Sequence, residues 1–500
     1  MSLKTHIMAN YLGQGWSALM LLIFTPLYIH YLGLADYGLI GVFTILQAFL
    51  VLFDLGMSQT LNREMAKYQA RQRTTHSIRE LLFSVEVLTF SLALGVLTGV
   101  CLAAPLLISH WLMLDKIDAH SAVVVIRLMG VVIGLRLLEG IYRGAILGLH
   151  QHIWLNAVTA LAATARGAGV VGVLAWLSPS LEAFFIWQCL VSLLITLALL
   201  RRVHMSLPAV AVHFSWTALR TVWSFARGIM ASTLLAFFLM QADKILLARQ
   251  LGLETLGIYT LAWNVASALF LLAVPLAQSY YPHFTQLVSQ ADRGLLSASY
   301  HQAAQLMTII IVPATLLLLV YGEPLLIFWT RNPDLSHQAL PLLRLLASGM
   351  ALIALEHIPY HLQLAFGWSS FTAKANGLTV LLQFPVLYWA LHYAGALGLA
   401  WAWFGVIALY VLLIVWVMHY WVLPRDKWLW YGQDTLFPAL GAGLVCATLY
   451  SMTPQFQHSW HLLAWLLLND GLMMLVAGLC APAMREIAYR LYWQSLRRRW

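Results

Sequence analysis

Apolar residues run through this chain in blocks of about twenty, separated by short polar connections, and about twenty is the number that one helical crossing of a bilayer needs. The blocks at 81–108, 183–200, 308–320 with its flanks, 399–417 and 462–479 have that length. Together the blocks predict roughly fourteen spans, beginning near residues 12, 37, 81, 121, 153, 183, 226, 256, 300, 341, 374, 396, 434 and 461. Whether the count is twelve or fourteen is left open by the pattern. The longest polar connections, near 63–79 and 201–227, are too short to fold as soluble domains, which disfavours any activity that needs an extramembrane catalytic domain.

Composition sharpens this picture. Hydrophobic residues make up 61% of the chain and charged residues only 9%, against about 25% charged in a soluble domain. The bilayer is therefore the solvent, and the few charges within it carry the information. The formal charge of +9 is the signature of basic cytoplasmic loops rather than of nucleic-acid binding. Cys101, Cys189, Cys446 and Cys480 all fall in apolar blocks and form no disulfide framework. No cleavable leader is evident, so the first block is read as an uncleaved span.

The charges are sorted by side. With the N-terminus inside, Lys4, Arg63, Lys67, Arg71, Arg73, Arg79, Arg201, Arg202, Arg220, Arg293, Lys374, Arg425, Lys427 and the arginines at 497–499 collect in cytoplasmic segments. Asp36, Asp115, Asp118, Glu182, Glu254, Glu323 and Asp334 collect on the other side, with Lys116 and Arg331. Both termini are expected in the cytoplasm.

The chain also repeats itself. LGLADYGL at 32–39 matches LGLETLGI at 251–258, and AAPLLI at 103–108 matches GEPLLI at 322–327, both at an offset of 219; Gly148 and Gly367 share that offset. Three matches in register indicate duplication. The offset spans about six crossings, an even number, so both copies enter the membrane in the same direction, one of the transporter repeat arrangements. The expected organisation is a six-helix lobe at 1–205, a cytoplasmic interfacial linker at 206–226, a second six-helix lobe at 227–425, and two further helices with a basic tail at 426–500.

The opening NYLGQGWSALMLLIFTPLYIHYLGLADYGLIGVF, followed by FDLGMSQTLNREMAKY, resembles the bacterial polysaccharide transporters. These are O-antigen and related lipid-linked oligosaccharide flippases of the multidrug/oligosaccharidyl-lipid/polysaccharide exporter superfamily. Asn10, Tyr11, Pro26, Leu32, Gly33, Tyr37, Gly38, Asp54, Leu55, Gly56 and Arg63 carry the likeness. Gln241, Asp243, Leu251, Gly252 and Pro282 add to it in the second half. The resemblance implies an all-α polytopic protein with two six-helix lobes forming a V, a central cavity and alternating access. It also implies a polyprenyl-pyrophosphate-linked oligosaccharide as substrate. Span one departs from some relatives: it holds no charge, so no substrate site is carried over to it.

Candidate site residues are the charges that are costly to insert. Arg136 and Arg166 fall near the middle of spans four and five, where each costs roughly 2.5–3.5 kcal/mol on insertion scales. Arg136, Glu139, Gly140 and Arg143 share one helix face. That face reads as a cationic wall for pyrophosphate, since the planar guanidinium donates bidentately; the rival reading is an internal Arg136–Glu139 ion pair, with Arg143 snorkelling to the interface. In span seven Gln241 and Lys244 share a face and are read as further substrate contacts in the cavity, while Asp243, a coupling or gating candidate, points away from its neighbour Lys244 and need not pair with it. Asp54 and Arg63 bracket the end of span two, as helix caps or gating contacts. Glu356 and His357 sit in span ten, Glu356 as a polar lining or proton-linked carboxylate. His357 and His361 have the spacing of two zinc ligands, but no third ligand is apparent and no metal is expected. GAGVVG at 167–172 matches a dinucleotide fingerprint by letter; inside an apolar span it reads as close helix packing, as does GVLTG at 95–99. Trp401, Trp403, Trp428, Trp430 and Trp460 are read as markers of the membrane interface.

The function expected is a flippase of the inner membrane that makes and breaks no bond, needs no cofactor and works beside a polysaccharide polymerase and glycosyltransferases. The alternatives are a cation-coupled multidrug or small-molecule exporter of the same superfamily, and an O-antigen ligase or polymerase. The latter normally needs a long periplasmic loop, which the pattern lacks.

Overall fold

The computed structural model describes residues 3–54, 56–113, 117–454, 459–486 and 489, with side chains described outside 3–14, 18, 50–52, 221–232, 369–370 and 459. Leu55, Asp115, Lys116, the arginines at 497–499 and the side chains of Lys4, Asn10 and Tyr11 lie outside the described residues. Among those described there is no strand.

The helices are α1 (Leu3–Leu32), α2 (Leu34–Phe53), α3 (Met57–Gln69), α4 (Thr75–His110), α5 (Ala119–Gly148), α6 (His152–Trp176), α7 (Leu181–Met205), α8 (Trp216–Gln250) and α9 (Gly252–Ser267). They continue as α10 (Leu269–Ser289), α11 (Arg293–Val320), α12 (Gly322–Thr330), α13 (Pro333–Ala365), α14 (Ser369–Val422) and the short α15 (Lys427–Leu429), then, after a stretch of π-helix at Trp430–Leu436, α16 (Phe437–Ser451) and α17 (Ser459–Cys480). Only a helix satisfies its own backbone within a bilayer, which is why apolar blocks this long fold this way. Ten described helices are long and apolar enough to cross a membrane. The 54-residue α14 breaks at Ala394 and Gly395, next to the expected start of a span at 396; α2, α8 and α16 lie where other expected spans begin.

Local chemistry sets the helix starts. Thr74, Asp118, Ser180, Ser215, Asp292 and Asn332 each accept a backbone N–H three residues on, capping α4, α5, α7, α8, α11 and α13. Each such cap stabilises by about 1 kcal/mol. Between helices the chain turns through left-handed residues. Gly33 (φ 87) and Gly252 (φ 80) fall 219 apart, Arg71 and Ala291 220 apart, and His150 and Gly367 217 apart. Turns therefore recur with the sequence repeat.

The chain forms two compact units, Met1–Thr260 and Leu261–Trp500. In the first, α5 lies between α4, α7 and α3, and α1 packs on α6. The core joins Leu61 and Met65 of α3 to Ile78, Leu82 and Val85 of α4, Ile141 and Ala145 of α5, and Leu199 and Val203 of α7. Gly140, Gly144 and Gly148 let α3 approach α5 closely: a Cβ at Gly144 would collide with the Ser58 carbonyl and one at Gly148 with that of Asn62. The polar connection after α7 is clasped to α4. Arg79 donates to the carbonyls of His204, Leu207 and Pro208 and to His204 Nδ1, which leaves His204 Nε2 to donate to Glu86 Oε1 at 2.8 Å. Farther along, the Ser215 amide donates to Ser84 Oγ at 2.9 Å.

Within the same unit α2 and α9 meet through equivalent residues. A Cβ at Gly38 would strike the Leu253 carbonyl, and one at Gly257 would lie 2.7 Å from the Leu34 carbonyl. Because 34 and 38 correspond to 253 and 257 in the repeat, the contact is reciprocal, the mark of a local two-fold relation. In the second unit α13 packs on α10, α11 and α14, and α16 and α17 pack on each other and on α11. Trp403, expected at the membrane interface, is instead fully buried, its ring filling the space above Gly349; Trp430 is buried too.

The two glycine motifs separate. Gly167 abuts the Phe24 ring and Gly169 the Trp187 ring, so GAGVVG is a packing surface as expected. Gly95 and Gly99 have nothing within 4 Å of a Cβ. They do not pack a helix but line an apolar groove of about 360 Å³ with Leu46, Phe49 and Ile133.

Candidate functional site

Three arginines and one glutamate gather where α5 faces α6 and α7. Glu139 Oε1 lies 2.7 Å from Arg166 Nη2, which also donates to Ser192 Oγ at 3.2 Å. Glu139 thus pairs across helices with Arg166, not with Arg136 three residues before it, and the internal Arg136–Glu139 pair drawn from the sequence is corrected. The glutamate is 6% exposed and Arg166 20%, so the bond is shielded on the glutamate side and open on the other. Arg136 continues the stripe of Gly140, Gly144 and Gly148 past the end of α3. Its guanidinium lies over the Phe43 ring, 5.3 Å from the centroid, and its buried Nε has no hydrogen-bond partner. Neither Arg136 nor Arg143 has a carboxylate partner among the described residues. One acid therefore serves three bases, an excess of two positive charges.

Asp54 lies beside this stripe, 3.8 Å from where a Cβ on Gly140 would be. It accepts from the Ser58 hydroxyl at 2.5 Å and from the Ser58 amide at 3.3 Å, which is the capping contact read from its position. Arg63 is half exposed, its Nε 3.8 Å from Glu64.

Asp243 and Lys244 do meet. Both are buried; Lys244 Nζ reaches back to the Met240 carbonyl at 2.9 Å and lies 3.4 Å from Asp243 Oδ1, while Tyr259 donates to Asp243 Oδ2 at 2.6 Å. The flexible lysine stem overcomes the divergence of neighbouring positions. Gln241 keeps one buried oxygen without a partner.

In the second unit Glu356 is buried and has no hydrogen bond or ion pair among the described residues. His357 donates Nδ1–H to the Ile353 carbonyl at 2.9 Å and His361 to that of His357 at 2.8 Å. A polar network that sequence reasoning passed over lies at the other end of α13's neighbour, α11. His301 Nδ1 is 2.5 Å from Asp434 Oδ2, Gln305 donates to Asp434 Oδ1 at 2.8 Å, and Gln305 Oε1 accepts from the Ala483 amide at 2.9 Å. Asp426 accepts from Ser297 at 2.6 Å. The partners are 129 to 178 residues apart, so no spacing rule could join them.

The polysaccharide biosynthesis protein family matches residues 3–288, more than half of the chain. The chain belongs to this family. The MatE family also matches, over residues 229–389. A Shigella flexneri protein that bears the name of an O-antigen transporter is 22% identical over 386 residues, 75% of this chain and 88% of that one. Among solved structures, the lipid II flippase MurJ in an inward closed conformation is 13% identical with a TM-score of 0.74, covering 96% of this chain and 98% of that one. An inward-facing multidrug resistance MATE transporter of the MOP superfamily is 12% identical with a TM-score of 0.68, covering 80% and 94%. These likenesses show that this member of the family has the all-helical, polytopic fold of the MATE and MurJ transporters.

Proposed function

We propose that the chain is a flippase that moves a polyprenyl-pyrophosphate-linked oligosaccharide, a repeat unit of O-antigen, capsule or exopolysaccharide, from the cytoplasmic to the periplasmic leaflet of the bacterial inner membrane. The observation that carries the reading is the arginine excess at α5 and α6. An uncompensated guanidinium within spanning helices is costly unless an anion or water meets it, and a pyrophosphate is such an anion. Arg136 and Arg143 hold the phosphates, and Arg166, tied by Glu139, sets the wall behind them. The family and the Shigella flexneri relative support the same substrate class.

Alternating access requires two lobes, and the sequence repeat supports 1–205 and 227–425 in that role, joined through 206–226. Both termini lie in the cytoplasm in this reading, as the charge asymmetry favours. Lys244 and Gln241 add substrate contacts, Asp54, Arg63 and Asp243 serve gating, and the isolated Glu356 beside His357 is the candidate for ion coupling. No bond is made or broken; polymerase and glycosyltransferases of the pathway are the expected partners.

The test is surface polysaccharide in cells that depend on this chain. Arg136→Gln lowers it about tenfold at normal protein abundance, in line with the roughly 1.5–3 kcal/mol of a hydrogen bond to a charged group. Arg136→Lys recovers only part, because the ammonium lacks the planar fork. Undiminished polysaccharide in the Arg136→Gln, Arg143→Gln double variant would overturn the assignment.

A further inference from the structure

Arg344 is a charge inside a spanning helix that the transport reading does not use. It stands eleven residues into the 33-residue α13. That helix is about 50 Å long at 1.5 Å per residue, well beyond the roughly 30 Å of a hydrocarbon core. With the helix centred, Arg344 sits a turn or two inside the hydrocarbon edge, within a snorkelling side chain's reach of the lipid phosphates. The side chain is exposed. Its Nε donates to the Leu319 carbonyl at 2.9 Å, one of the last carbonyls of α11, which helix geometry leaves without an amide partner. No described carboxylate pairs with it, so its two terminal amino groups remain open.

Beside it runs a groove of about 380 Å³. Leu316 and Leu319 of α11 form one wall; Gly443, Cys446 and Tyr450 of α16 form the other. Nothing lies within 4 Å of a Cβ placed on Gly443, so the glycine leaves the trough open where α16 would otherwise fill it. Arg344 closes one side of this otherwise apolar trough.

We propose that this groove binds an anionic phospholipid, with its phosphodiester on the open amino groups of Arg344 and an acyl chain along the α11–α16 trough. An anionic phospholipid carries one net negative charge and meets one guanidinium here; in phosphatidylcholine a quaternary ammonium cancels that charge, and the groove lining holds no carboxylate to receive it. A pyrophosphate carries more than one, and the groove offers no second cation. The bound lipid joins α16 to α11 and α13, so its loss loosens the attachment of the last two helices. The inference does not depend on the transport reading: lipid retention and transport are measured separately, and either fails without the other.

The experiment is native mass spectrometry of the full chain, purified in mild detergent and incubated with phosphatidylglycerol, phosphatidylcholine or a polyprenyl pyrophosphate. Wild type retains phosphatidylglycerol and not phosphatidylcholine. Arg344→Gln lowers that retention about tenfold. Because this change also removes the cap on α11, Gly443→Leu is the second variant: it keeps Arg344 and its cap, fills the trough, and lowers retention by a similar factor. Unchanged phosphatidylglycerol retention in both variants overturns the proposal. So does equal retention of phosphatidylcholine by wild type, or displacement of phosphatidylglycerol from wild type by the polyprenyl pyrophosphate, which would make the groove part of the substrate path.

Discussion

Two polar islands lie inside the helices of this protein, and they resolve their charge in opposite ways. Around Asp434 in the second unit both carboxylates find complements: His301 and Gln305 on Asp434, Ser297 on Asp426, with the Ala483 amide on Gln305, while His301 Nε2 makes no hydrogen bond and lies 3.7 Å from Asp426. Around Glu139 in the first unit one carboxylate meets three arginines and satisfies one of them. A network whose acids are all matched braces the helices it joins. A cluster left with surplus charge has capacity for something not in the chain. Both islands are conspicuous in a bilayer protein; the balance of charge, not burial, separates brace from site.

The largest test of this contrast falls on the one paired arginine. Arg166→Gln leaves Glu139 buried without its partner, and breaking a buried pair from one side costs about 3–5 kcal/mol. Membrane abundance and resistance to unfolding in detergent should drop sharply, and the Arg166→Gln, Glu139→Gln double variant should restore both. If Arg166→Gln behaves as mildly as Arg136→Gln, the two arginines do not differ in the way described.

A smaller effect is expected from the brace. Asp434→Ala strips the acceptor from His301 and Gln305, and an unsatisfied buried donor costs about 1–3 kcal/mol. Thermal unfolding in detergent should shift down while polysaccharide export per surviving molecule stays constant; a loss of export at full stability would make Asp434 part of the transport machinery.

The smallest effect comes from a third group, outside the spans, where acid and base are matched. Glu64 of α3 lies 2.8 Å from Lys67 and 2.6 Å from Arg73. Burial alone would raise its carboxyl, but the hydrogen bonds and charges of Lys67 and Arg73 outweigh that and hold it below the ordinary 4.5. A depressed folded value contributes stability that is complete above the unfolded value and fades as the pH falls through the folded one. Wild type should therefore lose stability below about pH 4.5 relative to Glu64→Gln, and the two should respond alike to pH changes above it. Parallel acid profiles would remove the ion-pair account of α3.

Much of this architecture was readable in the chain. Apolar block length located the spans, because a bilayer imposes one length on every crossing. Three matches in register indicated the duplication, and left-handed turns recur at that spacing; insertion cost alone singled out Arg136 and Arg166 as candidates. What escaped was choice of partner. Sequence spacing made Glu139 the neighbour of Arg136, whereas helix packing gave it to Arg166 on the next helix. Asp434 and His301 meet only because the π-helical stretch before α16 packs on α11. The stripe of Gly140, Gly144 and Gly148 was legible, three glycines at helical spacing, and was passed over in favour of GVLTG, whose glycines open a groove instead. Arg344 escaped as well, since it falls just after the span start expected near 341, where a charge looks like an ordinary anchor, whereas α13 begins earlier, at Pro333.

The reciprocal touch of α2 and α9 reaches back before the gene doubled. An ancestor with a single repeat would have carried one leucine where 34 and 253 now stand and one glycine where 38 and 257 stand. The pairing of glycine with carbonyl is self-complementary, so two copies of that shorter protein, lying parallel, would have met through the same residues. Fusion of two such copies would turn a meeting of two molecules into an internal fold. It would also free each half to change alone, so that Arg136 and Arg166 could arise in one copy with no counterpart demanded of the other.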